Sequence, residues 1–288
     1  MAAKLGATGR RLELGLQLRG LREAHGLTRK QAVVGLTISE ATLQRIERGG
    51  LNFRNVGNLN KLLDMYGVTD EAARAAIIER NRESPEQDWL TQYRGVMPPG
   101  MPSFIGMETE AQAIRAYHPT MVHGLLQTEA YARACFELAR DVEDTTRDFI
   151  QRSVELRMGR KDILTRESDP AKLWMILSEV ALRWTVGEDE LMSNQYEEIA
   201  RLASLDNVRI QVLPLASRGY RTIYDFALLD LGASLPQMVQ VDSAWEAVAM
   251  TDKAREVGRF SRRFDAMVAS ARPPEETIGF MRQLQREL

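Results

Sequence analysis

The chain contains one cysteine, Cys135, among 288 residues. A single thiol can close no internal disulfide and can build no cysteine-based zinc site. Histidine is nearly as scarce, with three residues. His118 and His123 stand five apart, with Pro119 after the first and Gly124 after the second. Two ligands on one helix face want a spacing of four, and no third ligand accompanies them, so they read as two loop histidines. His25 is expected to meet the carbonyl end of a first helix. No apolar run approaches the ~20 residues a membrane helix needs. The first eleven residues offer no apolar core for a signal peptide, and a cytoplasmic protein is expected. Gly-x-Ser-x-Gly and phosphate-loop motifs are missing too. Ser178-Glu179 and the run Glu188, Asp189, Glu190 invite acid–base chemistry, but the run reads better as the acidic first turn of a helix. The expectation is a protein that is not an enzyme, with no cofactor and no metal.

Net charge is also nearly absent, at −2. The balance is unevenly distributed. Residues 1–66 hold eleven Lys and Arg against five Asp and Glu, a formal +6, which leaves −8 for the remainder. A basic head on an acidic body concentrates attraction for phosphate at one end. With 44% hydrophobic residues, neither part need be disordered for lack of apolar content, and the length suits two domains of ordinary size.

The most informative stretch is 27–49, which reads as two short helices joined by a tight turn. Thr28 and Gln31 form a capping box. Ala32, Val33 and Leu36 can turn inward at helical spacing. Ser39 is a good N-cap for the second helix, Leu43 and Ile46 would hold that helix to the domain, and Gly49-Gly50 would stop it. Glu40, Ala41, Thr42, Gln44, Arg45 and Arg48 are left for the outside. A helix so divided can enter the major groove of DNA. There Gln pairs with adenine, Arg with guanine or phosphate, and Thr or Ala meets the thymine methyl. The expected base-reading residues are Ser39, Glu40, Ala41, Thr42, Gln44 and Arg45. The expected phosphate contacts are Thr28, Arg29, Lys30, Gln31, Arg48, Arg54 and Asn55. The bland alternative for Arg45 is a local ion pair with Glu47.

Beyond this stretch, helices are expected at 10–24, 55–66 and 70–83. Residues 84–103, with Met97-Pro-Pro-Gly-Met-Pro102, read as a linker packed on the second domain. That domain, 104–288, mixes helices (104–112, 127–138, 144–166, 188–204, 252–269, 275–288) with strands (113–117, 172–177, 208–213, 224–229, 238–241). The fold class is an all-helical head, 1–83, followed by an α+β domain with a small sheet. Trp89, Tyr93, Phe104, Trp174, Trp184, Tyr220, Tyr224 and Trp245 can line a small-molecule pocket or simply pack a core. The loop residues Arg218, Tyr220 and Arg221 are candidates for a partner or ligand contact.

Residues 12–68 resemble the Cro/repressor-type (XRE) helix-turn-helix. The resemblance is carried by Leu18, Leu21, Arg22, Gly26, Leu27, Thr28, Gln31, Ala32, Leu36, Ser39, Ile46, Glu47, Gly49 and the Leu62-Leu63-x-x-Tyr66-Gly67-Val68 tail. The family usually has Gly where this chain has Thr37, a β-branched residue that is poor at positive φ, so a turn that is either strained or slightly different is expected there. The second part is similar to the C-terminal domain of the WhiJ-like regulators of actinomycetes. It carries Gly124-Leu-Leu-Gln-Thr-Glu129-x-Tyr131, Asn207-Val208-x-Ile210-Gln-Val-Leu-Pro214, Glu179-x-Ala181-Leu182 and Phe264-Asp265. The resemblance implies a transcription regulator with a small partner protein encoded nearby, in an antitoxin-like or developmental pairing. The resulting expectation is a homodimer on a double-stranded operator. Its second domain dimerises and binds the partner protein or, alternatively, senses a small-molecule effector.

Overall fold

Residues 6–83, 89–242 and 248–288 are described by the structure, a computed structural model. The chain divides into two units, 1–92 and 93–288. The division falls within a 3₁₀ helix, Trp89–Val96, inside the segment read as a linker.

The first unit is helical: α1 Ala7–Ala24, α2 Arg29–Ala32, α3 Glu40–Glu47, α4 Val56–Met65 and α5 Glu71–Arg82. One core holds them. Leu14 and Leu18 from α1 meet Leu43 and Ile46 from α3, Leu59, Leu62 and Leu63 from α4, and Ile77 from α5, with Phe53 and Tyr66. Burying a side chain of this size contributes roughly 1.5–3 kcal/mol, so these residues dominate what holds the short helices in place. α1 approaches the end of α3 closely. A Cβ on Gly15 would sit 2.8 Å from the Glu47 carbonyl carbon, so glycine is required where the two backbones meet.

The second unit is built on six strands: β1 Ala113–His118, β2 Lys172–Ser178, β3 Val208–Leu213, β4 Phe226–Asp230, β5 Met238–Asp242 and β6 Val248–Thr251. Their order is β3-β2-β1-β4-β5-β6. β1, β2 and β3 are parallel, and β4, β5 and β6 run antiparallel from the other side of β1. The helices are α6 Met101–Glu110, α7 Glu129–Ala139, α8 Arg147–Arg160, α9 Glu179–Arg183, α10 Asp189–Ala203, α11 Ala254–Val268 and α12 Thr277–Glu287. The parallel strands are joined through α7 and α8 and then through α9 and α10, as parallel pairing requires a crossover. α11 packs Val257, Phe264 and Met267 on Tyr117, Ile176, Leu213, Phe226, Leu228 and Val239. The intervening residues Ile114, Ala116, Met175, Leu177 and Val212 are buried as well, so both faces of the sheet are covered.

Several boundaries differ from the sequence expectation for identifiable reasons. The expected 144–166 helix is Arg147–Arg160, started by the Thr146 side chain, and gives way to a 3₁₀ turn at Lys161–Leu164. Asp144 just before it has φ 49°, which no helix accommodates. β6 is a sixth strand that was not expected. It is four residues long, and its pairing with β5 decides it more than its own propensity does. α9, also not expected, is a single short turn below the length that periodicity can detect.

Candidate nucleic-acid interface

The helix-turn-helix geometry starts from two caps. The Thr28 hydroxyl accepts from the Gln31 amide at 3.3 Å, and Gln31 Oε1 accepts from the Thr28 amide at 2.8 Å. The Ser39 hydroxyl accepts from the Thr42 amide at 3.1 Å. α3 ends where Gly49 N–H donates to Ile46 and Gly50 N–H to Arg45, with Gly49 at φ 72°. That paired closure is a Schellman motif.

Of the two outcomes expected at Thr37, a strained turn or a slightly different one, the structure has the second. α2 is only four residues long, and the left-handed residue is Gly35, φ 78°. Thr37, two residues later, is not at positive φ. The strain expected there is relieved by moving the left-handed bend back to a glycine that takes it without penalty. Asn58 on α4 then clamps the displaced turn. Its Oδ1 accepts from Thr37 N–H at 3.2 Å and its Nδ2 donates to Thr37 Oγ1 at 2.8 Å.

α3 presents two faces. Leu43, Ile46 and Glu47 are buried, whereas Glu40, Ala41, Arg45 and Arg48 are exposed and Thr42 and Gln44 half-exposed. Glu47, 1% exposed, is the unexpected member of the inner face. It accepts from Arg22 Nε, from Arg22 Nη2 at 3.2 Å and from Arg29 Nε at 2.8 Å. Arg22 also donates to the Leu27 carbonyl at 2.7 Å. The hydrogen bond to Glu47 raises the Arg22 pKa against the opposing effect of burial. One carboxylate thus ties α1, α2 and α3 together. The helical spacing carried this signal, since Glu47 follows Leu43 by four and lies on the same stripe.

Glu47 is therefore not the partner of Arg45. Among the described residues Lys30, Arg45 and Arg48 have no ion-pair partner. Arg29 spends part of its guanidinium on Glu47, and the Gln31 side chain is committed to its cap. A groove of about 400 Å³ beside α3 is lined by Thr37, Thr42, Arg45, Arg54 and Asn55 among others. Asn55 caps α4, its Oδ1 accepting from Gly57 N–H at 2.8 Å. A capped helix start with a cation beside it suits a phosphate.

A family model described as a helix-turn-helix domain matches residues 13–77. A second, described as a domain of unknown function (DUF5753), matches residues 101–283, well over half of the chain. The chain belongs to the DUF5753 family. Its first unit is a helix-turn-helix domain, which makes the protein a DNA-binding regulator. No curated protein and no solved structure matches it. No helix among the described residues is long and apolar enough to cross a membrane.

Within the DUF5753 domain, the residues singled out from sequence disperse. Trp174 stacks edge-on against Phe264 and donates to Gln211 Oε1 at 2.7 Å, and Tyr224 packs on Phe260. Phe104 is buried beneath Arg160. Trp184 and Tyr220 are exposed, and Trp245 lies outside the described residues. These aromatics do not assemble a pocket. Arg218 and Tyr220 are exposed, while Arg221 turns inward, donating to the Ser217 carbonyl at 2.6 Å and the Pro214 carbonyl at 3.1 Å. Ser178 caps α9, and Glu179 holds Arg183 and the Leu215 amide. Asp189 and Glu190 occupy the first turn of α10.

Of the two histidines expected in loops, His123 lies in one, just before a 3₁₀ turn, while His118 does not. His118 ends β1, and its ring meets His123 edge-on with centroids 4.7 Å apart. His123 Nδ1 accepts from Leu125 N–H at 3.1 Å. Burial pushes His118 down to about 4 from 6.5, and burial with the neighbouring His118 pushes His123 well below its ordinary value. The unfolded chain takes up protons near 6.5 while the folded one resists until lower pH. The contribution of the pair is thus present above pH 6.5 and lost as pH falls toward 4. Asp225, 3.6 Å from His118 Nε2, and Asp242 have raised values through burial and work in the opposite sense. His118→Gln with His123→Gln is expected to flatten the loss of melting temperature between pH 7 and pH 5. An unchanged slope would assign the acid sensitivity elsewhere.

Proposed function

We propose that the protein is a sequence-specific transcription regulator that reads operator DNA as a homodimer. The observation that carries this reading is the division of α3. Its inner side is pinned by Leu43, Ile46 and Glu47, and its outer side offers Arg45 and Arg48 without ion-pair partners among the described residues. In the major groove Ser39, Glu40, Ala41, Thr42, Gln44 and Arg45 face base edges. Lys30, Arg48, Arg54 and the remainder of the Arg29 guanidinium hold the backbone. Thr28, Gln31 and Asn55 contribute at capped helix starts, where amide groups and the helix dipole attract phosphate. The +6 head supplies the electrostatic part of affinity.

The DUF5753 domain provides dimerisation and receives the signal in this reading. The WhiJ-like resemblance supports a small partner protein. The loop between β3 and β4 supports an apolar contact there, since it exposes Leu215, Tyr220 and Ile223, the last 92% exposed. The protein acts in the cytoplasm and without a catalytic step.

A dimer should protect two half-sites centred about 10–10.5 base pairs apart, or a multiple of that. Footprinting on the protein's own upstream DNA, alongside sedimentation of the free protein, tests this. A single protected half-site bound by a monomer would sink the homodimer.

A further inference from the structure

The DUF5753 domain contains a cavity of about 470 Å³, within the range typical of small-molecule sites. It lies between the end of the first 3₁₀ helix, the start of α6, α7, α8 and the β5 and β6 ends that flank it. Its apolar wall includes Met97, Met101, Phe136 and Phe149, and its polar lining is Arg160, Asp242 and, one turn apart on α8, Ser153 and Arg157.

Ser153 and Arg157 differ from their neighbours in what they lack. Arg160, three residues beyond Arg157, is fully engaged. Its Nε and Nη2 donate to both oxygens of Glu108 at 2.7 and 2.9 Å. Arg157 has only an amide oxygen, Gln127 Oε1 at 3.0 Å, and the Phe136 ring with its centroid 4.5 Å away. No carboxylate among the described residues pairs with it. Burial, with Arg160 nearby, lowers its pKa to about 10, which leaves it charged at neutral pH. Ser153, one turn before on the same face, is 5% exposed, and its hydroxyl has no hydrogen-bond partner among the described residues. A buried hydroxyl without a partner is costly. Here the residue lines the cavity beside a cation that has no ion-pair partner among the described residues.

We infer that this cavity binds a small organic monoanion, a carboxylate on an aryl or short alkyl body. Arg157 and the Ser153 hydroxyl take the carboxylate, and the aromatic and methionine wall takes the body. A guanidinium offers parallel N–H donors to a carboxylate and a hydroxyl adds one more. Arg160 is already paired with Glu108, so Arg157, without an ion-pair partner among the described residues, suits one negative charge. Asp242 also lines the cavity. Its carboxylate accepts from Gln240 Nε2 at 2.5 Å, and burial, and after it the neighbouring Asp225, raises its pKa. The inference rests on the regulator reading only for its consequence at the operator, where occupancy of the cavity is the signal.

The test is calorimetry on the full chain without DNA, using benzoate, phenylacetate and octanoate, with benzyl alcohol as the neutral control. At least one carboxylate is expected to bind saturably with one site per chain, about tenfold or more tighter than the alcohol. Arg157→Met should weaken it about 10–100-fold, as loss of a charged hydrogen bond implies. Ser153→Ala, which removes a hydroxyl no protein group uses, should keep the melting temperature and weaken binding about fivefold. Ser153→Met should fill the site and abolish binding in a protein that still melts normally. The two serine variants decide the matter even if Arg157→Met fails to fold. The inference is overturned if none of the three carboxylates saturates, or if Ser153→Met binds like wild type. Operator affinity is measured separately. Ligand binding without operator binding counts against the regulator reading alone, and operator binding without ligand binding counts against the cavity alone.

Discussion

Glu47→Ala is expected to destabilise the helix-turn-helix domain by roughly 3–5 kcal/mol, the cost of removing one partner from a buried ion pair. Arg22 would be left in the core with its charge uncompensated, because Glu47 is its buried partner and Glu23 is a solvent-exposed one. Arg29, about a third exposed, can turn to water and suffers less. The loss should be felt in three helices at once, since the carboxylate joins α1, α2 and α3. Hydrogen exchange on the full chain reads the effect locally, as faster exchange across α1–α4 with the DUF5753 domain unchanged. Glu47→Gln keeps an acceptor and should lose less. Arg22→Met with Glu47→Leu should recover much of the stability, because a well-packed apolar pair often equals or exceeds a buried ion pair. Wild-type exchange rates in Glu47→Ala would mean that the carboxylate does not hold the motif.

The second large effect concerns α3 itself. Gln44→Ala and Arg45→Ala should each cost about 1–3 kcal/mol of discrimination between operator and unrelated DNA, the value of one good side-chain-to-base pairing. Neither side chain is part of the core, so folding should be unaffected. Arg48→Ala and Lys30→Ala should behave differently. They should weaken binding to all duplexes alike and reduce the slope of log K against log salt by about one each. Gel-shift titrations at several salt concentrations separate the two classes. If Gln44 and Arg45 variants lost affinity uniformly and kept their discrimination, the assignment of the base-reading face would fail.

Much of the DNA-binding half was legible because its signals are local. The Thr28–Gln31 box, the Ser39 cap and the Gly49 stop each act within a few residues, and all three form. The position of the turn was not legible. Gly35 takes the left-handed bend, and Asn58, 21 residues beyond Thr37, holds Thr37 on the far side of it, a long-range clamp that leaves no mark on local pattern. Glu47 illustrates a different limit. Its position on the apolar stripe was readable, but its two cationic partners come from other helices. In the second domain the strand at 208–213 was placed at its observed ends, since its alternating residues are bounded by Asn207 and Pro214. β6 was hidden because four residues acquire strand geometry from pairing alone. The cavity was sought among Trp and Tyr residues, which instead fill cores or face solvent. Its polar lining includes Ser153 and Arg157 on a helix that reads as an ordinary polar one. Only the three-dimensional packing shows that both lack a full set of partners.

The central claim is that residues 39–48 on α3 give this protein preference for one DNA sequence. Competition binding of the full chain at physiological salt tests it most directly, with its own upstream DNA set against a scrambled duplex of the same length and composition. The account predicts a preference of about 10³-fold or more, lost when Gln44 and Arg45 are both replaced by alanine. Equal affinity for the two duplexes, or a preference that survives the double substitution, would contradict it.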